Sequence, residues 1–388
     1  MRAEPFRIEI PEASRAELRD RLLRTRLPGD IGNTGWAYGV EQEWLRGMID
    51  YWAQEYDWRA AEAAMNALPQ YRATIDGLPI HFVHLRARGP SAGAIVLTHG
   101  WPWSFLDWVE AGRRLADPAA FGLPAAPAFD VVIPSLPGFA FSAPLTRTGI
   151  APPQIASVWD TLMRRVLGYP RYGAAGGDWG AMVTLELGLA EGAHLRGAYL
   201  ALPVAPGLDG RDFTADMFAP DEQWMPARRD AVAQTLVSHV AVHMHDPQTL
   251  AYALADSPAG TAAWIWERRR AWSDCDGDVE ALFGREGLCT LASLYWLTNT
   301  IGSSLRIYAE WFRPMMSAAP PATTPRLAVP TAYGIGPKDI VFLPRRLAEA
   351  HCDLRRWTVF PRGGHFGPAE QPAAVAADIA AFFGSLGG

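Results

Sequence analysis

Cysteine is scarce in this 388-residue chain. Cys275, Cys289 and Cys352 are odd in number, widely spaced and without a CxxC pair. That excludes a disulfide framework or a zinc knuckle and leaves reduced or incidental thiols. Long apolar runs are also missing. The N-terminal MRAEPFRIEIPEAS lacks the hydrophobic stretch of a signal peptide. No window approaches ~18 uninterrupted apolar residues, so no membrane span is predicted and a cytoplasmic location is expected. Positive charge is in deficit: 35 Lys+Arg against 41 Asp+Glu give a net charge of −6, the opposite of the basic face that nucleic acid requires. At 49% hydrophobic and 20% charged, the chain is too apolar for a disordered protein. Its 36 glycines and 32 prolines follow no period, which excludes collagen-like repeats. Tryptophan is plentiful, at 16 residues, and its large rigid ring serves cores and apolar pockets alike.

The length exceeds one ordinary domain and suits a large core with insertions or a small companion domain. PFRIEI (5–10) alternates and predicts a strand. Ser14 to Arg24 has helical spacing, with a capping-box pattern at Ser14 and Glu17. Residues 40–58 place Trp44, Ile49, Trp52 and Tyr56 at helical intervals. Tyr71–Ile75, Asp76-Gly77 and Ile80–His84 read as strand, turn, strand. From about residue 71 apolar strands alternate with helices. AIVLT (94–98) and FDVVIP (129–134) are continuous apolar runs, the signature of parallel strands covered on both faces. A helical, aromatic-rich stretch interrupts the alternation before strands at 330–334 and 354–360 and a final helix at 373–383. The expected organisation is α/β: an N-terminal meander or arm over 1–70, a core over 71–204 and 321–388, and an inserted helical lid over 205–320.

Three loops could carry chemistry. Gly176-Gly177-Asp178-Trp179-Gly180 lies between a strand and a helix, with small residues flanking one acid, the form of a nucleophile elbow. A carboxylate there can attack carbon and form an ester that water then cleaves; the alternative is an Asp that caps the following helix. His99-Gly100-Trp101-Pro102 follows AIVLT and could aim backbone N–H groups at developing negative charge, or be an ordinary turn. Gly363-Gly364-His365-Phe366 precedes the last helix and offers a general base, or a surface histidine. The order nucleophile, acid, base is that of α/β hydrolases. Asp339 is the candidate orienting acid, with Glu349 and Asp353 as competitors.

With these residues in place, the chain resembles the epoxide hydrolases of the α/β-hydrolase superfamily, of the microsomal and juvenile-hormone type with an N-terminal meander. The resemblance runs through PFRIEIPEASRAELRDRLLRTRLP, GWAYGV, YDWR, HFVHLRA, HGWP, PSLPGFAFS, GGDWG, DSPAGTAAWIWE, SSLRIY and RGGHF. The chain starts directly at the meander, as soluble bacterial members do. The resemblance implies an α/β-hydrolase fold with a mostly parallel central sheet, an inserted helical lid and no cofactor or metal. It implies Asp178 as nucleophile, backbone around Trp101 and Trp179 as oxyanion hole, His365 as water-activating base and Asp339 as its orienting acid. Two lid tyrosines of the family donate to the epoxide oxygen. One falls on Tyr308; the other falls on His239, or on His243 after a one-turn slip. A histidine there could act as an acid whose titration alters activity below neutrality.

A second departure from the family is Trp103, where a small residue is usual; with Pro102 it is a candidate substrate contact that would narrow the pocket. The expected reaction is hydrolysis of an apolar, bulky epoxide to a vicinal diol, with a small-molecule substrate as partner, no nucleic acid or membrane, and homodimerisation left open. Trp264, Trp266, Trp272, Trp296 and Trp311 are candidates for the bulk of the lid's apolar lining. The alternatives are a haloalkane dehalogenase, or an epoxide-opening cyclase of secondary metabolism in which a substrate hydroxyl replaces water.

Overall fold

The computed structural model describes residues 2–208, 213–317 and 324–387. The chain begins with β1 (Glu4–Pro5), α1 (Glu12–Leu23), α2 (Gln42–Gln54) and α3 (Trp58–Asn66), then the hairpin β2 (Gln70–Ile75) and β3 (Leu78–Leu85). Of the strand expected over 5–10 only Pro5 is in a strand, a two-residue one in which Glu4 and Pro5 pair with Arg72 and Tyr71, and the Phe6 N–H adds one bond to the Gln70 carbonyl at 2.9 Å. Beyond them, side chains of α3 replace a ladder. Asn66 Oδ1 accepts the Ile8 N–H (2.8 Å), Asn66 Nδ2 donates to the Ile8 carbonyl (2.9 Å), and Glu62 Oε2 accepts the Ile10 N–H (2.9 Å). The backbone is thus satisfied without a strand. Helix α1 starts at Glu12 behind Pro11, so the Ser14–Glu17 capping pattern is unused. The helix expected over 40–58 divides because Asp57 accepts the Arg59 N–H at 2.8 Å and caps a new helix. Asp76 and Gly77 take φ of 49° and 76°, the left-handed pair of a tight hairpin turn.

The core follows as β4 (Ser91–Thr98), α4 (Val109–Ala116), β5 (Ala128–Pro134), α5 (Pro152–Thr161), β6 (Tyr172–Gly176), α6 (Trp179–Ala190) and β7 (Leu195–Leu200). The lid is α7 (Trp224–His245), α8 (Pro247–Asp256), α9 (Pro258–Trp272), α10 (Val279–Leu297) and α11 (Ile301–Ser317). The expected lid-to-core boundary at 320/321 lies outside the described residues. The chain closes with β8 (Leu327–Ile335), α12 (Arg345–His351), β9 (Cys352–Val359), α13 (Gly367–Glu370) and α14 (Pro372–Ser385).

Among the described residues nine strands form one sheet, ordered β1-β2-β3-β5-β4-β6-β7-β8-β9. β1, β2, β3 and β5 pair antiparallel; from β5 through β9 the neighbours are parallel. The continuous apolar runs are the central strands: Ala94 to Leu97 and Val131 to Ile133 are fully buried, as helices on both faces require. The C-terminal ends of β4, β6, β8 and β9 therefore open at one edge of the sheet, under the lid, where ligands of open α/β sheets bind. The N-terminal helices brace the lid from outside. Trp52 Nε1 donates to Ser293 Oγ (2.9 Å), and Trp266 lodges against Trp44 and Trp52. Trp266 is thus a packing residue between two layers rather than a pocket wall. Among the described residues no helix is long and apolar enough to cross a membrane.

Candidate active site

Strand β6 ends at Gly176 and α6 starts at Trp179, which leaves Asp178 on the bend at φ 52°, ψ −126°. An L-residue rarely adopts this backbone, and the strain points to function. Small neighbours permit the bend: a Cβ on Gly176 would collide with the Gly180 carbonyl, and a Cβ on Gly180 with that of Thr98. Gly100 is required for the same reason, since a Cβ there would occupy the Asp178 carboxylate. That absence of side chain lets the Trp101 N–H donate to Asp178 Oδ1 at 2.7 Å. Trp179 opens α6, so its N–H has no helical carbonyl to reach. The HGWP turn is itself pinned through His99, whose Nε2 accepts the Leu136 N–H (3.1 Å) while its Nδ1 donates to the Gly100 carbonyl (3.0 Å). Burial pushes His99 down to about 4, so it is a neutral structural brace.

The other carboxylate oxygen, Asp178 Oδ2, lies 3.4 Å from His365 Nε2. His365 Nδ1 is 2.8 Å from Asp339 Oδ1, which also accepts the Ile340 N–H at 2.7 Å. An ionised carboxylate only accepts, so Nδ1 carries the proton and Nε2 faces Asp178. Burial of His365 opposes its charge, but Asp178 and Asp339 outweigh it and raise the imidazole to about 9. The competing acids are surface ion pairs instead: Glu349 with Arg345, Asp353 with Arg355.

The lid brings Tyr308 from α11 and His239 from α7 together, Tyr308 Oη to His239 Nε2 at 3.1 Å. The Trp101 indole stacks on His239 (5.4 Å, 13°), and Trp179 meets Tyr308 edge-on at 4.7 Å. These two rings are the side chains of the residues flanking the carboxylate. Burial pushes His239 well below its ordinary 6.5, and His243 and Arg268 add to that push. His239 is therefore neutral where a free imidazole gains its proton, against the expectation of an acid that titrates below neutrality; a histidine without a carboxylate partner cannot hold charge in this setting. Burial, with the Asp178 charge, lifts Tyr308 well above 10. His243, one turn along, accepts from Trp264 Nε1 at 3.0 Å and so orders the lid's aromatic layer. Of the other lid tryptophans Trp272 reaches the site, 5.4 Å from His365 and 4.8 Å from His239 between ring centres.

Trp103 is fully buried and stands edge-on to His365 at 5.4 Å; a Cβ on Gly177 would be 2.7 Å from its ring. It fills the space under the elbow, and its carbonyl accepts from Tyr295 Oη at 2.7 Å. The Pro102 carbonyl accepts from Arg269 Nη2 at 3.3 Å. Sequence reasoning missed this arginine. Its guanidinium forms a buried two-pronged pair with Asp107 (2.7 and 2.9 Å), locking lid helix α9 onto the HGWP loop. Asp107 also accepts the Ser104 N–H at 2.8 Å, and the S-x-x-D spacing was the available signal for that half. Glu370 was missed as well; it follows His365 by five residues.

Residues 3–108 match the family model for the epoxide hydrolase N terminus, and residues 93–372 match that for the alpha/beta hydrolase fold. A relative from Stigmatella aurantiaca (strain DW4/3-1), provisionally named an epoxide hydrolase, is 39% identical over 98% of this chain and 85% of its own. Epoxide hydrolase 1 of Oryctolagus cuniculus is 29% identical, covering 98% of this chain and 88% of its own. The solved epoxide hydrolase of Aspergillus niger superposes with a TM-score of 0.85 at 28% identity, over 99% of this chain and 96% of its own. The charged trio on the sheet edge, the hydrogen-bonded pair beneath the lid and these matches agree: the chain belongs to the epoxide hydrolases of the α/β-hydrolase fold.

Proposed function

We propose that this protein opens an apolar epoxide through an ester on Asp178 and hydrolyses that ester with water activated by His365. The observation that carries the reading is the division of the Asp178 carboxylate, with Oδ1 held by the Trp101 N–H and Oδ2 turned to His365. Oδ2 is the attacking atom. As its bond to the epoxide carbon forms, the carbon–oxygen bond of the ring breaks and charge develops on the departing oxygen. Tyr308 supplies a proton there. Its neighbour His239, held neutral, can donate Nε2–H to the phenol oxygen, which frees the phenol proton for the epoxide and steadies the phenolate that forms.

Ester formation removes the charge of Asp178. One of the two carboxylates that raise His365 is then gone, and the imidazole returns toward the neutral form that a base requires. It takes a proton from water, the hydroxide adds to Asp178 Cγ, and negative charge collects on Oδ1 against the Trp101 N–H, with Trp179 N–H as the second donor. Such a donor contributes about 10²–10³-fold to rate. Collapse expels the diol oxygen, which takes its proton from His365, and leaves Asp178 as the free acid; that proton passes to His365, while the proton His365 shed at ester formation restores the Tyr308 phenol, and the starting state is regenerated.

The walls, Trp101, Trp103, Trp179 and Trp272, favour an apolar, bulky or aryl-bearing epoxide, with Trp103 limiting bulk beside the elbow. Free cysteines at 275, 289 and 352 suit a reducing, cytoplasmic setting, and a role in secondary metabolism is part of the same reading. The test is a panel of epoxides of increasing size assayed by chiral chromatography, with Asp178→Asn as control. We expect vicinal diols from the wild type and a loss of about 10⁴-fold or more in the variant. Diol formation undiminished by Asp178→Asn would refute the reading.

A further inference from the structure

The loop that carries His365 is held by a carboxylate outside the catalytic trio. Glu370, mostly buried in α13, accepts three backbone N–H groups at 2.8 Å: those of Gly364 and Asp274 on Oε2, and that of Phe366 on Oε1. Two of them bracket His365. The N–H of His365 itself donates to the Trp272 carbonyl at 2.8 Å, so the catalytic histidine hangs from the end of lid helix α9. The neighbouring Asp274 accepts the Gly363 N–H (3.0 Å) on Oδ2 and pairs with Lys338 Nζ (3.0 Å) on Oδ1. Lys338 directly precedes Asp339, and its own N–H donates to the Gly363 carbonyl at 3.0 Å. A Cβ on Gly364 would overlap the Trp272–Ser273 backbone, so the loop and the lid segment are in closest contact. Two buried carboxylates thus clasp three pieces: the histidine loop, the acid loop and the lid.

We propose that Glu370 is a positioning residue for the second half-reaction, and that it aligns His365 with the ester and its water without taking part in ring opening. The inference rests on the ester reading above. Its physical ground is the separation of supports. Asp178 is fixed by the elbow and the Trp101 N–H, and Tyr308 by α11; neither bonds to Glu370. His365, by contrast, has its backbone fixed on both sides by that one carboxylate. A carboxylate can accept all three N–H groups, whereas the amide of Glu370→Gln turns an NH₂ toward at least one of them. A displacement of about 1 Å at a catalytic group costs on the order of 10²-fold.

The experiment compares wild type and Glu370→Gln with styrene oxide, by steady-state kinetics and by rapid-quench mass spectrometry of the intact chain. Slower ester hydrolysis lowers kcat and KM together. We expect kcat to fall about 10–100-fold, kcat/KM to stay within about twofold, and the ester-bearing fraction of the variant to rise at steady state. A merely structural loss removes active enzyme and lowers kcat and kcat/KM in the same proportion; that result, or unchanged kinetics, would overturn the inference. An ester seen in wild type but not enriched in the variant overturns the clasp alone. No ester in either wild type or Glu370→Gln overturns the ester reading and the clasp with it. If Glu370→Gln does not fold, Asp274→Asn loosens the same loop through Gly363 and Lys338, with the same split expected at smaller size and the same results overturning it.

Discussion

His365 and His239 are both buried and both pack against the Trp272 ring, and their proton affinities move in opposite directions. His365 is raised to about 9, because the carboxylates of Asp178 and Asp339 outweigh the cost of burial. His239 is pushed well below 6.5 by burial, with His243, Arg268 and His365 adding to the push, and its Nε2 meets the Tyr308 phenol. Charge is therefore favoured at His365 on the sheet edge and disfavoured at His239 in the lid. That division suits a two-step reaction, in which ring opening draws on neutral donors from above and ester cleavage on a base that loses its proton as the nucleophile loses its charge.

The largest effect that sharpens the contrast is His365→Gln. Ring opening needs only Asp178 and the lid donors, so the ester should form and persist, with its hydrolysis slowed by about 10²–10⁴-fold. Intact-mass measurement of the variant with epoxide should show a stable adduct on the Asp178 peptide; a variant that neither turns over nor accumulates adduct would place His365 in the first step. Smaller effects are expected from the lid. Tyr308→Phe should slow ester formation by about 10²–10³-fold, as loss of one fixed donor does. His239→Phe should cost about tenfold and little more when added to Tyr308→Phe, since coupled groups are not additive. Additive losses in single-turnover kinetics would instead make His239 an independent donor.

How much of this could be read beforehand follows the same division. Asp178, His365 and Asp339 sit at strand ends, where glycine spacing and chain order announce them, and the apolar runs AIVLT and FDVVIP announce the sheet. The failures lie where tertiary partners replaced local structure. PFRIEI alternates like a strand, yet Asn66 and Glu62 take its backbone bonds. Trp266 and Trp272 look alike in sequence, but one packs on the N-terminal helices and the other faces His365. Neutral His239 could not be foreseen either, because a pKa is set by what surrounds the ring, and residues from four elements do so. Arg269–Asp107 and Glu370–Asp274 join segments 162 and 96 residues apart, a distance over which sequence pattern carries no signal.

The smallest predicted effect is on stability, and here the two kinds of histidine oppose each other. His81, His84, His99 and His243 are lowered to between about 3 and 4 by burial. Held neutral when folded and free to charge when unfolded, they contribute stability above about pH 6.5 that is lost as pH falls toward their folded values. His365 contributes below about 6.5 and loses that contribution as pH rises through about 9. The urea midpoint should therefore drop steeply from pH 6 to 4 and shallowly from pH 7 to 9. In His365→Gln the alkaline decline alone should vanish; a decline that survives that substitution would assign it to other groups.

The most direct test of the central claim is a single turnover in ¹⁸O-water with enzyme in excess over epoxide, followed by mass analysis of both diol and peptide. The account predicts an unlabelled diol, its new oxygen coming from Asp178, and one ¹⁸O in the Asp178 carboxylate. Label in the diol with none in Asp178 would mean that water attacks the epoxide directly, and would contradict it.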